Sequence, residues 1–282
     1  MPSFASYDGT ALAYTVLGEG PSPLVCLAGG PGFPGRYFED LAGLAGARPL
    51  LLLDTRGTGH SELPADPSSM RFDRLAADLE ALRGHLGLAT MAVLGHSGGA
   101  ITAQSWAAQH PESVERLVLV APSDHLLGGT RPDVPEIRAT FAEEPWYAEA
   151  SEAAELLKDV PPSQAARLRR AVLPFQYARW DDPAQAHAAR LEPLLSKRAQ
   201  AGYIAGADEV SFDELRAGLA RVSAPVLVVA GTRDAVTGRA AAELVAGAFH
   251  NATIAWVQGA GHVPWVDDAA GFRAAVDPFV TL

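Results

Sequence analysis

Six short, nearly unbroken apolar runs punctuate the chain at residues 24–28, 50–53, 91–94, 117–120, 226–230 and 253–257. Each is too short for a helix and too uniformly apolar for a strand with one wet face. The pattern therefore predicts strands buried on both faces of a parallel sheet. Between them the polar positions return with helical periodicity. Residues 72–86 place Leu75, Leu79, Leu82 and Leu86 at spacings of three and four ahead of Gly87, residues 99–109 run up to Pro111, and residues 239–249 form a third such segment. Near the N-terminus, residues 4–7 and 12–16 flank Asp8-Gly9, a dipeptide that suits a tight turn needing positive φ, and this predicts an antiparallel hairpin. Strands alternating with helices imply right-handed crossovers and an α/β fold, its mostly parallel sheet covered by helices on both faces.

The alternation stops between residues 123 and 214. This stretch is rich in Ala, Glu and Arg, holds no convincing buried strand, and is punctuated by Pro132, Pro135, Pro145, Pro161, Pro162, Pro174 and Pro183. It reads as a helical cap inserted into a core formed by residues 1–122 and 215–282, with the prolines as breaks between short helices. Its 16 acidic and 10 basic residues account for −6 of the net charge of −11. That surplus repels phosphate, arguing against nucleic acid and an anionic lipid surface as partners. No apolar run approaches the roughly 20 residues of a membrane span. The first residues lack a basic stretch followed by an apolar one, so no signal peptide is expected. A single cysteine, Cys26, rules out an internal disulfide framework and fits the reducing cytoplasm.

The strongest chemical signal is Gly95-His96-Ser97-Gly98-Gly99, which follows the run 91–94 and opens a helix. A serine on a sharp strand-to-helix turn presents its hydroxyl outward, and flanking glycines let the two elements approach; the competing reading is plain glycine-turn chemistry. A serine hydroxyl needs a base within hydrogen-bond reach and a third group that fixes the base's tautomer. Asp234 follows the run 226–230 and His262 follows 253–257 and a glycine turn, so Ser97, Asp234 and His262 stand in the expected chain order. His262 could instead cap a helix or sit in a solvated loop, and Asp208 or Asp213 could stand in for Asp234. One oxyanion donor is expected from the backbone N–H of Gly98, and another from the loop Ala28-Gly29-Gly30-Pro31-Gly32. The spacing of that loop matches neither phosphate-binding glycine motif.

Together with Asp54-Thr55-Arg56-Gly57-Thr58-Gly59-His60-Ser61, these motifs resemble the α/β-hydrolase superfamily, and within it the branch around the prolyl iminopeptidases. The resemblance covers residues 1–122 and 215–282 and hardly touches the insertion. It implies Ser97 as nucleophile, His262 as base, Asp234 as its orienter, Gly30 and Gly98 as oxyanion donors, and the insertion as a lid. Two positions depart from the branch: Ala28 stands where it usually has His, and Gly98 where it usually has Trp. Trp180-Asp181-Asp182 faintly resembles the Trp-Glu element with which iminopeptidase lids bind a free amine. Asp54 and Arg56 read as a buttress of the oxyanion loop, and His96 as a packed residue. Trp146, Phe175, Trp180 and Trp265 are the candidate substrate-binding aromatics, with core filling as their alternative. A serine rather than an aspartate at position 97 argues against the epoxide hydrolases and haloalkane dehalogenases. The expected function is a serine hydrolase, free of metal and cofactor, that cleaves an ester, lactone or amide of a small apolar substrate through an acyl-enzyme. An aminopeptidase, a C–C bond hydrolase, an acyltransferase and a ligand-binding protein without turnover remain as alternatives.

Overall fold

The computed structural model describes residues 1–160 and 164–281. Eight strands form one sheet: β1 (Ser3–Ala5), β2 (Ala11–Leu17), β3 (Leu24–Leu27), β4 (Leu50–Leu53), β5 (Met91–His96), β6 (Val114–Val120), β7 (Val226–Gly231) and β8 (Ala252–Val257). The order across the sheet is β1-β2-β4-β3-β5-β6-β7-β8. β1 and β2 pair antiparallel, β2 pairs antiparallel with β4, and all later pairs are parallel. Each apolar run is thus a strand, and Asp8-Gly9 lies in the hairpin turn, with Gly9 at φ 88°.

Alternate residues of the central strands feed two separate cores. Val25, Leu51, Val93, Leu117 and Val228 point to one face, where they meet α1 (Leu75–His85), α2 (Gly98–Gln109) and two later helices. Cys26, Leu52, Leu94, Val118 and Val229 point to the other. Two-sided coverage is why the middle of each of these strands is apolar, while polar residues such as Glu115, Arg116 and His96 sit toward strand ends.

Between β6 and β7 the chain forms α3 (Val134–Ala139), α4 (Tyr147–Leu156), α5 (Ala166–Ala171), α6 (Asp182–Leu191), α7 (Lys197–Gly202) and α8 (Phe212–Leu219). Pro135 and Pro183 lie in the first turns of α3 and α6, so they start helices rather than break them. The missing N–H of proline would have had no intrahelical partner there. Pro161 and Pro162 lie outside the described residues. The expected boundary at 214/215 falls inside α8, whose Leu215 and Leu219 pack into the core beside α2. Ile137, Phe141, Ala150 and Phe175 make a small core of the insertion's own, closed by Ala235 from the loop after β7.

The chain ends with α9 (Gly238–Gly247), α10 (Pro264–Asp267) and α11 (Ala269–Val280). The last of these, α11, lies beyond the apolar runs and helical segments that the sequence pattern predicts. Its Phe272, Val276 and Val280, four residues apart, cover the second face of the sheet. No helix among the described residues is long and apolar enough to cross a membrane.

Arg56 plays a different part from the one expected. Its guanidinium makes no bond to the loop after β3; it holds Asp78 of α1 through two bonds of 2.7 and 2.6 Å and Asp8 of the hairpin turn through bonds of 2.5 and 3.1 Å. Arg56 is 1% and Asp78 2% exposed, so neither charge has water to fall back on. Arg56→Met should therefore strand a buried carboxylate and cost about 3–5 kcal/mol, which lowers Tm by on the order of 10 °C. Pairing it with Asp78→Leu should recover part of the loss in calorimetry. A single variant melting within about 2 °C of wild type would remove this network from the account of stability.

Candidate active site

The tip of β5 turns into α2 through Ser97, which adopts φ 51° and ψ −114°. Only close neighbours on both sides sustain that conformation in a residue with a side chain. A Cβ on Gly95 would lie 2.6 Å from the Gly99 carbonyl oxygen, and one on Gly99 would lie 2.1 Å from the Leu27 carbonyl oxygen. Glycine at these two positions is a packing requirement of the turn. The Ser97 N–H donates to the Val120 carbonyl at 3.0 Å and ties the turn to β6.

The loops after β7 and β8 bring the other two residues of the set to Ser97. Nε2 of His262 lies 2.9 Å from Ser97 Oγ, and Nδ1 lies 2.9 Å from Asp234 Oδ2. Because Asp234 can only accept, Nδ1–H donates to it, which leaves Nε2 to accept from the serine hydroxyl. Asp234 is fully buried and also accepts from the N–H groups of Val236 and Thr237 and from the Thr237 hydroxyl. Burial alone would raise its pKa. The His262 ring and the donors from His262 and Thr237 outweigh burial and hold it at about 2. Asp208 and Asp213 are exposed and make no bond to His262.

Gly30, at φ 57°, and Gly98, the first residue of α2, flank the serine. Neither N–H has a protein acceptor among the described residues. Gly29 stands close enough that a Cβ there would lie 3.1 Å from the Ser97 Cβ, and Pro31 Cδ would meet a Cβ on Gly98 at 3.0 Å, so the loop after β3 wraps the serine. Asp54 supports this loop by accepting from the Gly35 N–H at 2.8 Å. The insertion grips this loop and the start of α2: the Ser196 N–H donates to the Gly32 carbonyl at 2.9 Å, and the Tyr203 hydroxyl donates to the Gly98 carbonyl at 2.5 Å.

His96 is packed, as expected, but its packing serves the site. Nε2–H donates to the His262 carbonyl at 2.8 Å, and Nδ1 accepts from the Tyr37 hydroxyl at 3.0 Å. Burial, with the neighbouring His262 adding to it, drives the His96 pKa well down, so the ring is neutral. Trp265 presses edge-on against His96 at 4.8 Å between ring centres.

The four substrate-binding candidates do not share one location. Trp265 is 5% exposed and wedged among Tyr37, Phe38, His96 and Phe272, and Phe175 is 1% exposed inside the insertion's own core. Burial leaves neither a face for a ligand, so both are packing residues. Trp146 and Trp180 are half-buried, Trp146 against Phe141 and Phe175, and Trp180 against Tyr177. Missed in the sequence was Phe33, a half-buried ring whose edge lies 2.6 Å from where a Gly30 Cβ would stand. Its signal is slight: a lone aromatic just past Gly-Pro-Gly. Asp181 and Asp182 are both exposed; Asp181 caps α6 through the Ala184 N–H and pairs with Arg179. Among the described residues no cluster of three or more His, Cys, Asp or Glu side chains is arranged to hold a metal.

A parallel sheet with a serine elbow at the end of its central strand defines the α/β-hydrolase class. The sequence profile of the alpha/beta hydrolase fold matches residues 22–269, and the chain belongs to that family. A proline iminopeptidase of Lactobacillus helveticus (strain DPC 4571) is 38% identical over 119 residues, which are 40% of this chain and 40% of that protein's length. An esterase of Exiguobacterium antarcticum superposes with a TM-score of 0.74 at 21% identity over 99% of both chains. The enol-lactonase of Burkholderia xenovorans LB400 superposes with a TM-score of 0.71 at 25% identity over 100% of both.

The positive φ of Ser97 carries its own consequence. A side chain in the left-handed region costs about 1–2 kcal/mol that glycine does not incur. Ser97→Gly should therefore melt a few degrees above Ser97→Ala in calorimetry. Equal melting temperatures would mean that the turn is not strained.

Proposed function

We propose that the chain is a serine hydrolase in which Ser97, His262 and Asp234 act as one catalytic unit on a small apolar ester or lactone. The observation that carries this reading is the pair of 2.9 Å contacts linking Ser97 to His262 and His262 to Asp234. The Ser97 oxygen attacks the substrate carbonyl carbon as its proton passes to His262 Nε2, and Asp234 stabilises the imidazolium that results. The N–H groups of Gly30 and Gly98 receive the negative charge that develops on the carbonyl oxygen. His262 then returns the proton to the departing alcohol, leaving an acyl group on Ser97. Water attacks that ester with His262 again as base, releasing the acid and restoring the serine.

The substrate class rests on what surrounds the serine. Pro31 and Phe33 put apolar surface beside the oxyanion donors, and the insertion, taken as a cap, adds Trp146 and Trp180 as its half-buried aromatics. Recognition of a free amine needs a desolvated carboxylate, because an exposed one discriminates weakly against an uncharged analogue. Asp181 and Asp182 are exposed and so fail that requirement. The aminopeptidase reading keeps one support, the 38% identity to a proline iminopeptidase over part of the chain.

Two assays test the proposal. Ser97→Ala and His262→Ala should each lower kcat by roughly 10⁴–10⁶, with the double variant little worse than either, and Asp234→Asn by on the order of 10⁴. Losses that multiply would dissolve the unit. In the second assay, p-nitrophenyl esters should turn over faster than proline arylamides, and Asp181→Ala should change kcat/KM for esters by less than about threefold. A preference for proline arylamides that Asp181→Ala or Asp182→Ala abolishes would replace the esterase reading with the aminopeptidase one.

A further inference from the structure

A short strap of the insertion, residues 176–178, crosses directly over the loop that carries His262. The His262 N–H donates to the Gln176 carbonyl at 2.9 Å. The two backbones run so close at Gly261 that a Cβ there would lie 2.9 Å from the Ala178 nitrogen and 3.0 Å from the Gln176 carbonyl oxygen. One carboxylate joins them. Asp267, the last residue of α10, accepts from the Gly261 N–H at 2.7 Å and from the Ala178 N–H at 3.1 Å on each of its oxygens. On the far side of the strap, the Arg233 guanidinium donates to the Ala178 carbonyl at 3.2 Å.

We propose that Asp267 is a positioning residue for His262: its carboxylate clamps the peptide N–H before His262 to the strap, so that the histidine loop and the insertion hold one alignment over Ser97. The inference rests on the reading of Ser97 and His262 proposed above. Neither N–H has another acceptor in the chain among the described residues, so without the carboxylate both are orphaned beside the site. Charge-assisted bonds from a carboxylate are about twice as strong as neutral ones, which makes the clamp depend on ionisation.

Burial raises the Asp267 pKa to about 6, against the bonds from Gly261 and Ala178 and the nearby Arg179, with Asp181 adding to the rise. The other charged or titratable groups on the elements around it are Tyr177 and Arg233 at the strap, Asp182, His187 and Arg190 on α6, His262 and Asp268 on either side of α10, and the Arg273–Asp277 pair on α11. Since the folded pKa lies above the unfolded one, the stability contributed by this group is full below about pH 3.8 and lost as pH rises through about 6. Asp267→Asn is accordingly expected to melt no lower than wild type at pH 8, which separates its role in alignment from one in folding.

The test measures the rate at which a fluorophosphonate modifies Ser97, located by mass spectrometry, between pH 5 and 8. At pH 8 Asp267→Asn should react roughly 10-fold more slowly than wild type and Asp267→Glu within about threefold of it. The deficit of the Asn variant should close as pH falls to 5, because wild type then also carries an uncharged side chain. A constant ratio, or equal rates at pH 8, would overturn the clamp while leaving the nucleophile in place; failure of wild type to label at Ser97 would remove the nucleophile reading instead. Wild type alone supplies a second readout should the Asn variant not fold. The amide protons of Gly261 and Ala178 should titrate together in NMR spectra with one midpoint near pH 6. Either amide staying flat across that range would overturn the inference.

Discussion

The architecture depends on one strained turn. Ser97 holds a left-handed backbone because β5 and α2 are pinned on all sides: Gly95 against α2, Gly99 against the end of β3, and the Ser97 N–H against β6. The two glycines make that approach possible, and the buried faces of β5 and α2 supply the packing that sustains it. The serine hydroxyl is thereby raised above the sheet at the one place where loops from neighbouring parallel strands also end.

Parallel strands all deliver their C-terminal ends to the same edge of the sheet, and this is why residues far apart in the chain converge. The loops after β3, β5, β7 and β8 contribute Gly29 and Gly30, Ser97, Asp234 and His262 respectively. Convergence alone does not fix an imidazole within hydrogen-bond distance of a hydroxyl. A second tier of packing does: Trp265 backs the His96 ring, Tyr37 hydrogen-bonds it, and His96 in turn holds the His262 carbonyl. Keeping His96 neutral matters here, because a second positive charge at 4.8 Å from the His262 ring would oppose the imidazolium that the proposed mechanism requires.

The insertion between β6 and β7 is a partner of this machinery rather than an appendage. It bonds to the loop after β3 through Ser196, to the start of α2 through Tyr203, and to the histidine loop through Gln176 and Ala178. Most of these contacts use main-chain groups, so they place few demands on side-chain identity.

What the chain determines by local rules could be read directly. Two-sided burial writes itself as unbroken apolar runs, tight turns as Asp-Gly, and the serine elbow as glycines at fixed spacing, so the strands, α1, α2 and the order Ser97, Asp234, His262 are legible in the sequence. The remainder is long-range. Whether an aromatic faces a ligand or a core depends on its three-dimensional neighbours, which is why Trp265 and Phe175 turned out to be packing and Phe33 the ring beside Gly30. Arg56 reads as a buttress of the glycine loop because it shares a motif with Asp54, which does support that loop, yet its own partners lie 22 and 48 residues away on α1 and the hairpin turn. Asp267 gave no signal either: an aspartate after an apolar stretch resembles any helix end, and only the tertiary fold lays the 176–178 strap against Gly261 and turns that carboxylate into a shared acceptor. Periodicity and turn chemistry act within a few residues and leave a trace in sequence, whereas contacts between distant segments are settled only when the whole chain packs.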